Sequence, residues 1–100
     1  MDIKIGQKFV KQKEFAKALD FFLNLLNNKK DNSIINFYLG LIYSELNEFK
    51  KSIEYYEKSL KEDPKSFYTL YNLAIVKHNI GEIDQAKKIY LKLIEKLMEI

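Results

Sequence analysis

A spacing of 34 residues recurs along the whole chain. Small residues lie one interval apart at Gly6, Gly40 and Ala74. The same interval relates aliphatic, aromatic and further small residues, in the series Ile5, Leu39, Leu73; Phe15, Phe49, Ile83; Ala18, Ser52, Ala86; and Phe22, Tyr56, Tyr90. A fixed period of this length is the signature of a repeat architecture, in which each unit buries its apolar face against the next unit.

Each repeat is predicted to contain two helices. In the middle unit, Leu39, Gly40 and Tyr43 form one apolar stripe at helical spacing, and a second stripe begins at Phe49. Asn32–Ser33 and Ser66 are expected to be N-caps. Gly81 is expected to end a helix in the left-handed conformation, and Pro64 is expected to mark another helix end. We therefore predict an all-α fold of six helices, over about 3–12, 14–28, 33–46, 48–62, 66–80 and 83–99.

The small residues have a physical role in this layout. Two antiparallel helices approach closely only where one of them has little side-chain bulk. We expect Gly40 and Ala74 to provide such contacts on first helices, and Ser52 and Ala86 on second helices. Large rings such as Tyr56 fill the space beside these contacts, and the pairs stack into a solenoid.

The middle unit resembles a tetratricopeptide repeat over its whole length, 33–66, through Leu39, Gly40, Tyr43, Phe49, Tyr56 and Pro64. Ser52 and Ser59 stand where alanine is usual. The last unit matches through Leu70, Leu73, Ala74, Gly81, Ala86 and Tyr90, with Lys77 in place of an aromatic residue. The first unit matches through Ile5, Gly6, Phe9, Phe15, Ala18 and Phe22, with Lys30 in place of proline. The resemblance implies a single domain, 1–100, with repeats at about 1–32, 33–66 and 67–100, forming a right-handed α-solenoid.

Little in the composition suits catalysis. The chain has no cysteine, one histidine, no glycine-rich phosphate loop and no paired histidines at metal-binding spacing. The acidic residues alternate with lysines, as on solvated helix faces. His78 has no evident partner for acid–base or metal chemistry. We therefore predict a non-enzymatic protein that needs no metal and no cofactor.

The resemblance places function on the groove lined by the first helix of each repeat, where family members hold peptides or helices. It implies a partner-binding surface made of Ile3, Gln7, Val10, Lys11, Ile34, Phe37, Tyr38, Leu41, Ser44, Glu45, Tyr68, Tyr71, Asn72, Ile75, His78 and Asn79. Many of these are apolar or aromatic, and Phe37, Leu41, Tyr68, Tyr71 and Ile75 could form one patch, which is typical of a partner site. The alternative is that superhelical curvature buries part of this patch.

The kind of ligand can be narrowed by comparison with chaperone-binding members. Those members hold a C-terminal carboxylate with lysine, arginine and asparagine side chains. In this chain the corresponding positions are occupied by Ile3, Gln7, Tyr38, Tyr68 and Asn72. We therefore expect a mostly apolar peptide or an amphipathic helix instead of a terminal carboxylate.

Two other functions remain open at this point. The last helix carries apolar residues that could mediate homo-oligomerisation, namely Ile94, Leu97, Met98 and Ile100. The net charge of +3 allows weak lysine-mediated nucleic-acid binding, but the chain has no arginine, so a nucleic-acid partner is the less favoured hypothesis. No secretory signal or membrane span is evident, so a cytoplasmic location is expected.

Overall fold

The computed structural model describes residues 3–28 and 32–99, and these form six α-helices. The helices are α1 (Lys4–Lys11), α2 (Phe15–Asn28), α3 (Ser33–Glu45), α4 (Phe49–Glu62), α5 (Phe67–Asn79) and α6 (Ile83–Met98). The all-α prediction is confirmed, and every helix end lies within one residue of its predicted position. The helices pair as α1–α2, α3–α4 and α5–α6, and the pairs stack as an α-solenoid.

The turn inside each pair has the same geometry three times. Its central residue adopts the left-handed conformation, with φ of 61° at Lys13, 61° at Asn47 and 91° at Gly81. These positions are themselves 34 residues apart. In the first turn, the amide of Glu14 donates to the carbonyl of Phe9 at 2.8 Å, as in a Schellman motif, and the other two turns repeat this bond. The predicted stop at Gly81 is confirmed, whereas the stops at Lys13 and Asn47 were not anticipated.

The predicted N-caps are also present. The side chain of Asn32 accepts hydrogen bonds from the amides of Ile34 and Ile35, at 2.8 and 3.2 Å. The hydroxyl of Ser66 accepts from the amide of Thr69 at 3.3 Å. Both caps satisfy amide groups that have no partner inside the helix.

Close contact between a ring and a small residue holds each of the first two pairs together. A Cβ atom on Gly40 would lie 2.5 Å from the ring of Tyr56, and one on Gly6 would lie 2.5 Å from Phe22. Ser52 donates a hydrogen bond from its buried hydroxyl to the carbonyl oxygen of Gly40 at 2.7 Å. Burial raises the pKa of Tyr56 above its usual value. The predicted role of the small residues is confirmed in these two pairs.

Each first helix after α1 packs onto the preceding pair. Ile35, Leu39 and Ile42 of α3 form one buried cluster with Ala18 and Phe22 of α2. In the next interface, Leu73 and Val76 of α5 cluster with Tyr56 of α4. Tyr90 is only half-buried, although it corresponds to Phe22 and Tyr56, because none of the described helices follows α6.

A hydroxyl network explains one departure from the family pattern. Ser59, where alanine is usual, is fully buried near the end of α4. Its hydroxyl donates to the backbone carbonyl of Ser33 at 2.8 Å and lies 2.9 Å from the hydroxyl of Thr69. The network therefore ties the start of α3 and the start of α5 to α4.

The first prediction concerns Gly40. Alanine is the better helix former by about 1 kcal/mol, so propensity alone would make Gly40→Ala stabilising. Because the new methyl group would overlap the Tyr56 ring, we expect the variant to lose about 1–3 kcal/mol of unfolding free energy. Urea denaturation followed by circular dichroism measures the change, and an unchanged or higher stability would contradict the interlocked packing.

The second prediction concerns Asn36, whose side chain is fully buried and has no hydrogen-bond partner for either amide atom among the described residues. Leu70 holds the equivalent place in the third unit and is 4% exposed. Because an unsatisfied buried polar group costs about 1–3 kcal/mol, we expect Asn36→Leu to raise the unfolding free energy by a similar amount. A lower denaturation midpoint with an unchanged urea dependence would show that Asn36 is satisfied in solution.

Candidate protein-binding cleft

A cleft opens between α1, the first turns of α3 and α5, and the turn between α4 and α5. It has a volume of about 600 Å³ and is here called the central cleft. Its described lining is half apolar or aromatic, with Ile3, Ile34, Phe37, Tyr38 and Tyr68, and half polar, with Gln7, Asn32, Ser33, Asp63 and Ser66. The stacking of three helix pairs thus brings together residues up to 65 positions apart.

The position of Tyr38 in the cleft wall is fixed by two contacts. Its ring stacks on Phe22, with centroids 5.0 Å apart and planes nearly parallel. Its hydroxyl accepts a hydrogen bond from the Nε2 atom of Gln7 at 2.8 Å. Gln7 and Tyr38 therefore bridge α1 and α3, and one amide donor of Gln7 is already used inside the protein.

Tyr68 is the most exposed aromatic residue of the cleft, with 78% of its surface accessible. Its backbone carbonyl accepts a hydrogen bond from the side-chain amide of Asn72 at 2.7 Å. The donor of Asn72 is thus turned back onto α5. Tyr68 itself is available to pack against a ligand.

A second hollow adjoins the first, and Tyr68 lies in both. This hollow, here called the end groove, has a volume of about 650 Å³ and lies between α5 and α6. Its lining is Phe67, Tyr68, Tyr71, Tyr90, Leu93, Ile94 and Leu97, so no charged side chain takes part. The sequence predicted one groove, whereas the structure contains two hollows that meet at Tyr68.

The predicted groove residues divide between these hollows and their surroundings. Six line the central cleft, namely Ile3, Gln7, Ile34, Phe37, Tyr38 and Tyr68. Tyr71 lines the end groove instead. The others line neither hollow; these are Val10, Lys11, Leu41, Ser44, Glu45, Asn72, Ile75, His78 and Asn79. Of the five residues of the predicted apolar patch, Phe37 and Tyr68 line the central cleft, Tyr68 and Tyr71 line the end groove, and Leu41 and Ile75 line neither.

Phe37 contributes to the core as well as to the cleft. It packs against the cluster of Tyr56, Leu73 and Val76, with its ring centroid 6.0 Å from that of Tyr56. Replacing Phe37 by alanine would remove core packing together with cleft surface. Ile34, which is half exposed at the start of α3, gives a cleaner test of the cleft.

Sequence reasoning missed four lining residues, Asn32, Ser33, Asp63 and Ser66. Asn32 and Ser66 had been identified only as helix caps. The signal that could have found them is the stacking itself, because the N-terminal ends of α3 and α5 meet at the same side of the solenoid. Asp63 precedes Pro64 in the adjoining turn and accepts a hydrogen bond from the amide of Lys65 at 3.2 Å.

The residues of the predicted oligomer interface fall partly in the end groove. Ile94 and Leu97 line it, and about half of each side chain is exposed. Met98 is 81% exposed but does not line the groove. Ile100 lies outside the described residues.

Charge in the central cleft does not favour an anionic ligand. Among the described residues of the lining, Asp63 is the one acidic residue and none is a lysine. Within residues 3–28 and 32–99, no group of three or more metal-binding side chains is present. None of the helices in this part of the chain has the length and apolarity needed to cross a bilayer.

Paired helices with a fixed period, tight left-handed turns and an open cleft define a helical-repeat protein. Two family models, both described as tetratricopeptide repeat, match residues 35–66 and 55–88. The chain belongs to the tetratricopeptide repeat family.

Comparisons with known proteins give relatives within this family. The chain is similar to the Photosystem I assembly protein Ycf3 of Rippkaea orientalis, with 33% identity over 72 residues. The match covers 69% of this chain and 42% of the relative, and other curated relatives are likewise matched over about half of their length or less.

Solved structures support the same fold. The Sgt2 TPR domain from Aspergillus fumigatus has a TM-score of 0.84 and 26% identity, over 92% of this chain and 61% of that one. The first TPR of Spaghetti (RPAP3), solved bound to the HSP90 peptide SRMEEVD, has a TM-score of 0.87 and 16% identity. That match covers 92% of this chain and 73% of that structure, and at this identity it shows the fold alone.

The bridge between Gln7 and Tyr38 generates the third prediction. Tyr38→Phe keeps the stacked ring but removes the hydroxyl acceptor, so we expect a loss of about 1 kcal/mol in unfolding free energy. Tyr68→Phe is the matched control, because that ring is mostly exposed and should change stability by less than about 0.5 kcal/mol. Equal effects in urea denaturation would contradict a structural role for the bridge.

Proposed function

We propose that this protein is a non-catalytic interaction scaffold that holds a mostly apolar peptide segment of a partner protein in the central cleft. The observation that carries the proposal is the cleft itself, where Ile3, Ile34 and the exposed Tyr68 come together from the starts of three helices. Solvent-exposed apolar side chains that line one concave surface are typical of recognition sites. The family membership supports the same class of function.

The size and walls of the cleft suit a short peptide. A volume of about 600 Å³ accommodates two or three side chains. Tyr38 is held in place by Phe22 and Gln7, so the wall is largely formed before a ligand arrives. A preformed wall lowers the entropic cost of binding.

The ligand is expected to differ from the acidic peptide bound by the first TPR of Spaghetti (RPAP3). None of the described residues that line the central cleft is a lysine, and Asp63 would repel a carboxylate placed near it. One amide donor of Gln7 is engaged by the Tyr38 hydroxyl, and one of Asn72 by the Tyr68 carbonyl. The proposed ligand is therefore apolar at its centre and does not depend on a terminal carboxylate.

Self-association and lysine-mediated nucleic-acid binding stay as predictions from the sequence. Light scattering over a range of protein concentrations tests the first. Lysine-mediated nucleic-acid binding requires an affinity that falls steeply as the salt concentration rises, because counterion release drives contacts between lysine and phosphate.

The fourth prediction tests the central cleft with peptides selected by the immobilised chain from a random library. We expect the selected peptides to be rich in aliphatic and aromatic residues. Ile34→Glu places a charge in the cleft, so it should weaken the best peptide at least about tenfold. Because acidic residues are tolerated in the first turn of a helix, the variant should still fold.

Ile80→Glu is the matched control. Ile80 is 39% exposed at the end of α5 and lines neither hollow. Its substitution should leave peptide affinity within about twofold, which is below 0.5 kcal/mol. Failure to select any peptide, or equal losses in both variants, would overturn the proposal.

A further inference from the structure

The uncharged polar residues of the central cleft are largely engaged within the protein. Asn32 and Ser66 accept backbone amides at the starts of α3 and α5, at 2.8 and 3.3 Å. Gln7 donates to the hydroxyl of Tyr38 at 2.8 Å, and the hydroxyl of Ser33 donates to a backbone carbonyl of α4 at 3.0 Å. These four side chains therefore support the fold and offer a ligand no charged contact.

Asp63 differs from them, because it is exposed and is the only charged residue in the described part of the lining. Its Oδ1 atom accepts a hydrogen bond from the amide of Lys65 at 3.2 Å, whereas a carboxylate can accept about four. None of the ion pairs within residues 3–28 and 32–99 includes Asp63. The ammonium of Lys96 lies near the carbonyl of Pro64 instead, at 3.5 Å. Most of the acceptor capacity of the carboxylate is thus open to a ligand.

The turn between α4 and α5 holds Asp63 in the cleft lining. The backbone amide of Asp63 donates to the carbonyl of Ser59 at 2.9 Å, and its carbonyl accepts from the amide of Ser66 at 3.2 Å. The next residue is Pro64, whose ring fixes its φ angle. A carboxylate held by such a turn before binding loses little conformational entropy when a ligand arrives.

The ring of Tyr68 lies in the same lining, five positions after Asp63, and 78% of the residue is accessible. Long basic side chains bury their apolar stems on surfaces of this kind and keep the charged end in water. The face of a tyrosine ring also attracts a cation. A carboxylate and an open aromatic ring in one cleft are therefore complementary to a basic side chain.

We propose that the peptide held in the central cleft carries a basic residue, lysine or arginine, whose cation pairs with the carboxylate of Asp63. This inference rests on the proposed function, since it names a further feature of the same ligand. The apolar residues of the peptide pack on Ile34 and Tyr68, and the ion pair fixes the register and direction of the peptide in the cleft.

A metal ion is a poorer occupant of this place. Calcium and magnesium need several oxygen ligands, and Asp63 supplies the only carboxylate of the described lining. No group of three or more metal-binding side chains occurs within residues 3–28 and 32–99. A basic side chain requires one carboxylate alone, which is what the cleft provides.

The fifth prediction compares random-library selections on the full chain and on two variants. Asp63→Asn removes the charge but keeps an oxygen that can accept from the amide of Lys65. Glu62→Gln makes the same change of net charge one residue earlier, at an exposed position that does not line the cleft. We expect lysine or arginine to be enriched beside the apolar residues of peptides selected by the unmodified chain and by Glu62→Gln. Asp63→Asn should lose this enrichment and still select apolar residues.

The best peptide then gives the strength of the ion pair. Its basic residue is replaced by an uncharged analogue of similar length, norleucine for lysine or citrulline for arginine. Because exposed ion pairs are modest, the unmodified chain and Glu62→Gln should bind this analogue about three- to fivefold more weakly than the original peptide. Asp63→Asn should bind the two peptides within about twofold, and the preference of the unmodified chain should shrink as the salt concentration rises. Fluorescence anisotropy measures each affinity.

The outcomes separate this inference from the proposed function. Selected peptides that lose affinity for Ile34→Glu but contain no enriched basic residue would overturn the inference and leave the proposed function standing. Equal preference for the basic peptide in Asp63→Asn and Glu62→Gln would do the same. Failure to select any peptide would overturn both.

Discussion

The contact between an aromatic ring and a small residue on the facing helix underlies this structure. Tyr56 lies against Gly40 so closely that one added methyl group would overlap the ring. Phe22 makes the same contact with Gly6. Each ring fixes the separation of its helix pair and also forms the base on which the next first helix packs. The repeat interval, the stacking and the hollows between units all follow from this arrangement.

Most of the fold was predictable from the sequence because its determinants are local and repeated. Asn32, Ser66 and Pro64 mark helix ends through their own chemistry, and the 34-residue interval supplies the pairing. The left-handed turn at Lys13 was not predictable in the same way. Lysine carries no preference for positive φ, and the conformation is held by hydrogen bonds from neighbouring residues. The unsatisfied amide of Asn36 also depends on neighbours that the sequence does not reveal.

The candidate site was predictable only in part. Ile34 and Tyr68 were correctly placed on exposed parts of first helices, because helical spacing determines which face they occupy. The positions of Tyr38 and Phe37 depend on residues of other helices. Phe22 and Gln7 contact Tyr38, and Tyr56 packs against Phe37. The division into two hollows follows from the bulk of Tyr68 between them, which periodicity does not show.

We propose that a partner binds in the central cleft, beside Tyr68. Site-specific photo-crosslinking in the native cell tests it most directly, with benzoylphenylalanine at position 68 and, as a control, at position 57 on the exposed surface of α4. We expect a partner to be cross-linked from position 68 through an apolar peptide segment, and none from position 57. Equal cross-linking from both positions, or cross-linking from position 57 alone, would contradict it.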